Sequence, residues 1–456
     1  MVMDPNEAHR PAQTSEAEKQ SQVRKAAFAS VVGTSIEWYD FFLYGTAAAL
    51  IFPGVFFPES SDYAGQLESF ATLAVGFAAR PVGAAIFGHW GDRIGRKATL
   101  IITLLLMGVS TALIGLLPGS DTIGLAAPTL LVFLRLLQGI AVGGEWSGSV
   151  LLAMEWGDQK KRGLMGSYAQ IGVPVGLILG TGGMSLLSAT MSEEAFLGWG
   201  WRIPFLASLV MVAIGLWVRL KILETPMFAE LVKSKKTAKL PVIEVCKRYP
   251  KEILLSAGAR FAEQMPFYVF TTFVLTYVVS EAELSETFAL NAVMCAAAIE
   301  LFMLPFFSRM SDQIGRKKVY LAGVVGIGIY GFIYFGMLNT GVAALVFVAI
   351  LLSLIPHDAM YGPQAAMIAE SFPTSLRYAG AGIGYQLASV FAGGPAPLIA
   401  AILLEETGSG YSIAAFIVFA CVVSYLCVKA LPDRSRSDIT DDSVYEKARA
   451  PVAPTG

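Results

Sequence analysis

Apolar residues run along this chain in long blocks, not in the short alternating patches of a soluble fold. A helix needs roughly 20 apolar residues to cross about 30 Å of hydrocarbon. Twelve such stretches lie near 26–51, 67–88, 98–117, 127–153, 163–188, 200–220, 252–279, 286–307, 318–338, 341–367, 376–404 and 409–430. The longest polar interruption, 221–251, falls between the sixth and seventh. The pattern predicts an all-α membrane protein of twelve transmembrane helices in two similar bundles. Its parts are a disordered polar tail over 1–23, a six-helix bundle over 24–220, a linker over 221–251, a second bundle over 252–431 and a second tail over 432–456. The first 23 residues lack the charged start, short apolar run and small-residue cleavage site of a signal peptide.

Composition agrees. Hydrophobic residues make up 55% of the 456 positions and charged ones 15%, against about 25% charged in soluble domains. A net charge of −2 leaves no basic surplus for phosphates, so no nucleic-acid partner is expected. The four cysteines show no CxxC or Cys/His ligand spacing and read as small buried apolar residues. No Gly-x4-Gly-Lys-Ser/Thr or HExxH segment is present, so neither an enzyme, a cofactor nor a metal is expected. Lys and Arg collect in cytoplasmic loops. With the N-terminus inside, every Lys and Arg falls on inner segments except Arg80, Arg135, Arg202 and Arg260. Arg202 sits at an outer edge beside Trp199 and Trp201. Both termini are therefore expected in the cytoplasm, with three arginines inside a lipid-embedded body.

The two halves repeat. Gly88-His89-Trp90-Gly91-Asp92-Arg93-Ile94-Gly95-Arg96-Lys97 shares its Asp-x-Ile-Gly-Arg-Lys core with Ser308-Arg309-Met310-Ser311-Asp312-Gln313-Ile314-Gly315-Arg316-Lys317. Glu155 precedes Arg162 by the same spacing as Glu370 precedes Arg377. Two such halves joined by a charged loop are the plan of a rocking transporter with its substrate near mid-membrane. Gly95 and Gly315 permit a tight reversal, and Asp92 can meet the positive N-terminal end of a neighbouring helix and lock the inner side. A set of polar loops obeying charge bias is the plainer alternative.

On these residues the chain resembles the major facilitator superfamily, and within it the metabolite:proton symporter family. Further matching pieces are Glu37-Trp38-Tyr39-Asp40-Phe41, Arg80-Pro81-Val82-Gly83, Gln138-Gly139 with Gly143-Gly144-Glu145, Gly198 to Phe205, Glu224-Thr225-Pro226, Glu370-Ser371-Phe372-Pro373 and Arg377-Tyr378-Ala379-Gly380. His357-Asp358 and Gly380 to Gln386 look most like the shikimate transporter group. The resemblance implies proton symport of a small organic carboxylate, shikimate-like or α-ketoglutarate-like, by a single subunit in a bacterial cytoplasmic membrane. A zwitterionic osmolyte such as proline or betaine is the alternative cargo. The short tail without heptads speaks against that branch. A nutrient sensor that binds without transporting is a third reading.

Ionisable side chains inside spans are functional candidates by default. The deep set is Glu37, Asp40, Arg80, Arg135, Glu145, Arg260, Glu263, Glu300, His357 and Asp358. Acids outnumber arginines, so the region stays neutral only by taking up protons, as a proton-coupled carrier does. Helix depth suggests that Arg80 meets Glu145, that Asp40 meets Arg135, and that Glu300 lies level with Arg260. In the related sugar:proton branch, an Asp on helix 1 and an Arg on helix 4 form the coupling pair; Asp40 and Arg135 match that pattern. Glu37, one turn away, can share a proton with Asp40. Arg80, Arg135 or Arg260 would clamp a carboxylate. Tyr39, Tyr268, Tyr361, Tyr385 and Gln386 are the further expected cavity residues, with Glu145, Glu263, Glu300, His357 and Asp358. Charge pairs that merely pin helices together are the structural alternative. The expected gate comprises Gly88, Asp92, Arg93, Gly95, Arg96, Glu155, Arg162, Asp312, Gly315, Arg316, Glu370 and Arg377.

Overall fold

A computed structural model describes residues 16–233, 238–441 and 443–446. Residues 1–15, most of the predicted first tail, lie outside the described set, as does the end of the second. Among the described residues the chain is 85% helical with no strands. The long helices are α1 (Glu16–Leu50), α2 (Asp62–Gly91), α3 (Arg96–Leu116), α4 (Ala126–Trp156), α5 (Arg162–Thr190) and α6 (Arg202–Leu220). The second set begins with α7, a run of short pieces from Pro250–Ala259 through Phe261–Tyr268 to Val274–Ser280. It continues with α8 (Glu286–Ile314), α9 (Arg316–Leu338), α10 (Ala343–Ala369), α11 (Arg377–Ala388 then Ala396–Thr407) and α12 (Gly410–Ala430).

Among the described residues, ten helices are long and apolar enough to cross a membrane. The other two predicted spans are helical but differ for reasons visible in their residues. In α1 the acids Glu37 and Asp40 and several small polar residues dilute the apolar run. In α7 the helix breaks at Arg260 and passes through a π-turn at Val269–Phe273. Such turns recur at functional sites. A second π-turn, Ser389–Gly393, interrupts α11 ahead of Pro395. Helix α1 also starts earlier than expected. Residues 16–23, read as disordered tail, are its first turns, since nothing from Glu16 to Val32 is a proline or glycine that would stop it. The linker forms two amphipathic pieces, Pro226–Lys233 and Pro241–Arg248.

Within the first half, α1 lies closely on α5. Gly172, Gly176 and Gly180 face Thr34, Trp38 and Tyr39 there, and a Cβ at any of the three would meet α1 backbone. The halves meet along α2 against α11, and along α5 against α8 and α10. Outward-facing leucines, valines and phenylalanines, such as Leu113, Val210, Phe302 and Val422, stay exposed. That is what a lipid-facing surface requires. An apolar groove of ≈ 600 Å³ between α9 and α12 belongs to this outer surface.

Candidate functional site

The repeated turns come first. Gly95 and Gly315 have φ of 111° and 104°, a backbone region that side chains other than glycine adopt only with strain. Each turn aims an aspartate at the start of a helix in the opposite half. Asp92 accepts hydrogen bonds from the amides of Tyr378 (3.3 Å) and Ala379 (3.0 Å) at the head of α11. Asp312 accepts from Gly163 (2.8 Å) and Leu164 (2.9 Å) at the head of α5. Both aspartates therefore meet the positive end of a helix dipole. The motif arginines brace them: Arg96 lies 3.1 Å from Asp92 and Arg316 2.6 Å from Asp312.

The second echo completes the pattern with approximate two-fold symmetry. Arg96 reaches Glu155 at 3.6 Å, and Arg377 of the other half reaches the same carboxylate at 3.8 Å. Arg316 reaches Glu370 at 3.2 Å, and Arg162 of the other half reaches it at 2.9 Å. Gly88 lies where α2 crosses α11, with Ala379 against it. Arg93 is not part of this lattice. It is exposed and donates to His89 at 3.2 Å. The segment after α12 closes over the lattice. Arg162 donates to the carbonyls of Arg434, Ser435 and Ser437, and Arg377 donates to that of Ile439. Burial of Ile439 and Tyr445 anchors this strap. The motif face is thus shut.

Deeper in, a cavity opens between α1, α2, α3 and α4, lined by Glu37, Asp40, Phe41, Gly76, Arg80, Met107, Arg135, Gln138, Gly139 and Val142. Its free space for a water-sized sphere is only ≈ 10 Å³, far below the usual range for small-molecule pockets. The Arg80 guanidinium lies over Phe77 (4.5 Å) and Phe41 (5.4 Å). Arg135 lies over Tyr44 (4.1 Å) and donates to Gln138 (3.1 Å). Among the described residues neither arginine has a carboxylate within 4.0 Å. Glu37 Oε2 and Asp40 Oδ1 are buried with no hydrogen-bond partner. Across the cavity, Tyr268 of α7 packs on Phe41 and Phe77, and Phe267 on Trp38.

Several expected pairings differ. Glu145 does not meet Arg80. It is paired with Arg219 of α6 and accepts from Thr103 (2.8 Å) and Ser149 (3.0 Å). Charge accounting along the sequence assigned Arg219 to the linker flank, so the interior holds a fourth arginine. No sequence signal separates a loop-edge arginine from one that folds back into a bundle. Asp40 and Arg135 form no direct ion pair. Thr111 donates to Asp40 (2.6 Å), Gln138 donates to Thr111 (2.6 Å), and Arg135 donates to Gln138, a three-bond chain that links them. Tyr39 turns out of the cavity and donates to the Pro204 carbonyl (2.7 Å).

Arg260 binds Glu263 (3.1 Å), the Gln364 amide oxygen and the Tyr385 carbonyl (2.5 Å), and lies 3.3 Å from the Tyr385 ring centre. Glu300 is not at Arg260 but beside His357 and Asp358. Tyr361 and Tyr385 face each other through their hydroxyls at 3.4 Å, and Gln386 reaches the Val142 carbonyl of the other half. Tyr385 also stacks on Trp146 of the other half at 3.6 Å.

Two six-helix halves, a polar cavity at mid-depth and mirrored clasps between the halves define a multi-pass membrane transporter. Residues 25–244 match the Sugar (and other) transporter family and residues 253–455 the Major Facilitator Superfamily. The chain is 42% identical to the shikimate transporter of Escherichia coli K12 over 91% of its own length and 96% of that protein's. It is 40% identical to the inner membrane metabolite transport protein YhjE of the same organism, over 85% of this chain and 89% of that one. The solved proton:xylose symporter XylE from E. coli shares the fold at a TM-score of 0.76 and 16% identity, covering 94% of this chain and 99% of that chain. The protein belongs to the major facilitator superfamily, in the branch of the shikimate and metabolite transporters.

Proposed function

We propose that the protein imports a small organic carboxylate, shikimate-like or α-ketoglutarate-like, together with protons by alternating access. It works as a single chain in the bacterial cytoplasmic membrane, with the motif face and both termini toward the cytoplasm. The relatives' names support the cargo class and membrane. The cations Arg93, Lys97 and Lys160 at the motif end support the orientation.

One observation carries the reading. Arg80 and Arg135 share a cavity with Glu37 and Asp40, yet among the described residues neither guanidinium has a carboxylate within ion-pair distance. The four charges sum to zero when the cavity is empty. A monocarboxylate clamped by Arg80 brings the sum to −1, and a proton on Asp40 or Glu37 restores zero. Cargo alone or proton alone leaves a net charge in a low-dielectric interior, which is costly. Only the empty and doubly loaded forms cross between faces. The Thr111–Gln138 chain lets Asp40 sense Arg135 without direct contact. Entry of cargo requires Phe41, Phe77, Phe267 and Tyr268 to part, because the closed space is too small.

Proteoliposome uptake of labelled shikimate tests this. Accumulation should follow an imposed pH gradient, vanish with protonophore and ignore membrane potential, since the loaded form is neutral. Arg80→Gln should weaken apparent affinity at least about 100-fold, from losing a charge-assisted clamp worth ~3 kcal/mol. Asp40→Asn should keep exchange and lose accumulation. Sodium-driven uptake indifferent to protonophore, or saturable uptake of betaine but of no carboxylate, refutes the proposal.

A further inference from the structure

The second half buries a group of ionisable side chains that the cavity of Arg80 and Asp40 does not use. Glu300 of α8 and His357 and Asp358 of α10 are each no more than 1% exposed. His357 Nδ1 lies 3.3 Å from Asp358 Oδ1 and 3.4 Å from Glu300 Oε1, and its Nε2 lies 3.7 Å from Glu263 Oε1. One ring nitrogen carries one hydrogen and can satisfy only one of the two carboxyls. Both oxygens of Glu300 and Oδ2 of Asp358 are buried without a hydrogen-bond partner among the described residues. Ligand atoms of Glu300, His357 and Asp358 all lie within 4.8 Å of one another.

The charges around the group do not balance. From α7, Arg260 offsets Glu263, its partner at 3.1 Å. An imidazolium at His357 offsets one more carboxylate. The remaining groups nearby are the phenols Tyr320 of α9, Tyr361 of α10 and Tyr385 of α11. Helix α5, packed against α8 and α10, brings Gln170, and its Arg162 is committed to Glu370 at the motif face. Among the described residues, one carboxylate of this buried group is left without a cation.

We propose that Glu300 and Asp358, oriented by His357, bind one exchangeable proton, making the second half a proton site separate from Asp40. The step is simple acid–base transfer, in which a carboxylate oxygen gains the O–H bond that a water donor loses. The site takes the identity of its ion, a proton, from the transport reading above but not its cargo, and it is counted apart from the proton that Asp40 or Glu37 carries with the cargo. It is placed to report to the other half. The His357 ring packs against Phe267 (5.2 Å), which touches Trp38 of α1 (6.0 Å). Through Glu263, Arg260 and Tyr385 it reaches the stack on Trp146 of α4. Loading or emptying the site is therefore felt at two aromatic contacts by which the halves touch.

Infrared difference spectroscopy of the full-length protein in lipid, without cargo, tests this, because the C=O stretch of a neutral carboxylic acid is read directly. Wild type should show a carboxylic acid band that shifts in D2O, is lost on raising pH, and survives Asp40→Asn. The band should vanish in Glu300→Gln and vanish or shift in Asp358→Asn, so that either variant suffices if the other fails to fold. Identical bands in wild type and both variants overturn the proposal. So does stoichiometric binding of Na+ or Zn2+ that is lost in Glu300→Gln, which would make the occupant a metal cation. Because no cargo is present, the result stands apart from whether the carboxylate reading holds.

Discussion

Replacing Asp312 by asparagine removes one charge and one acceptor from the second clasp. Asp312 receives the amides of Gly163 at 2.8 Å and Leu164 at 2.9 Å, the first free N–H groups of α5, and faces Arg316 at 2.6 Å. Asparagine keeps one acceptor and turns an N–H toward the other amide. A hydrogen bond to a charged group is worth about 1.5–3 kcal/mol, and the lost charge at a helix N-terminus about 0.3–1 kcal/mol more. Arg316 keeps Glu370 at 3.2 Å and limits the damage. The closed motif face should lose about 3 kcal/mol, roughly a 100-fold shift toward open. Ser147 of α4 is fully buried opposite Gly382 of α11, so Ser147→Cys, with Cys246, Cys295, Cys421 and Cys427 replaced, reports opening by alkylation. In the limit of fast opening and closing, the labelling rate follows the open population. Asp312→Asn should label about 100 times faster from the motif side. A rate within twofold of the parent refutes the idea that this clasp holds the face shut.

Other consequences follow from the same geometry. Burial, acting against Arg96 and the Ala379 and Tyr378 amides and helped by nearby Glu155, pushes the Asp92 carboxyl up to about 6. Opening the clasp would expose it and return it toward its ordinary 3.8. The closed form therefore binds the proton more tightly, and lowering pH from 7 to 5 should slow Ser147→Cys labelling about tenfold beyond the roughly 100-fold loss of thiolate, whereas Asp92→Asn should show the thiolate loss alone. Arg219→Leu strands Glu145 in the interior and should cost about 3–5 kcal/mol of stability, whereas Arg219→Leu with Glu145→Leu should recover most of it in thermal unfolding. A chain ending at Leu431 loses the carbonyls that hold Arg162 and Arg377 and should label several-fold faster at Ser147→Cys; an unchanged rate would show the strap to be passive.

Much of the architecture follows from one-dimensional properties. Helices come from unbroken apolar runs, because backbone groups inside lipid must bond within their own segment. The repeated Asp-x-Ile-Gly-Arg-Lys core marks equivalent turns, because a reversal at φ above 100° admits little but glycine. The helix-end targets of Asp92 and Asp312 were foreseeable in kind, since a short acid at a turn needs donors. Which helix supplies them was not, because α11 and α5 are distant in sequence and arrive through packing of the halves.

Side-chain partners inside the bundle were decided by tertiary structure. Equal depth placed Arg80 with Glu145, but rotation of α4 about its axis turns Glu145 to α6, where Arg219 folds inward. Depth says how far along a helix a group lies and nothing about its azimuth. The same holds for Asp40 and Arg135, joined through Thr111 and Gln138, and for Glu300, which α8 presents to His357 and not to Arg260. Sequence alone determined that this chain is a two-part helical membrane protein with buried charge. Only the packing of helices, through the angle at which each faces its neighbours, determined which charges are cancelled and which stay available for an anion and a proton.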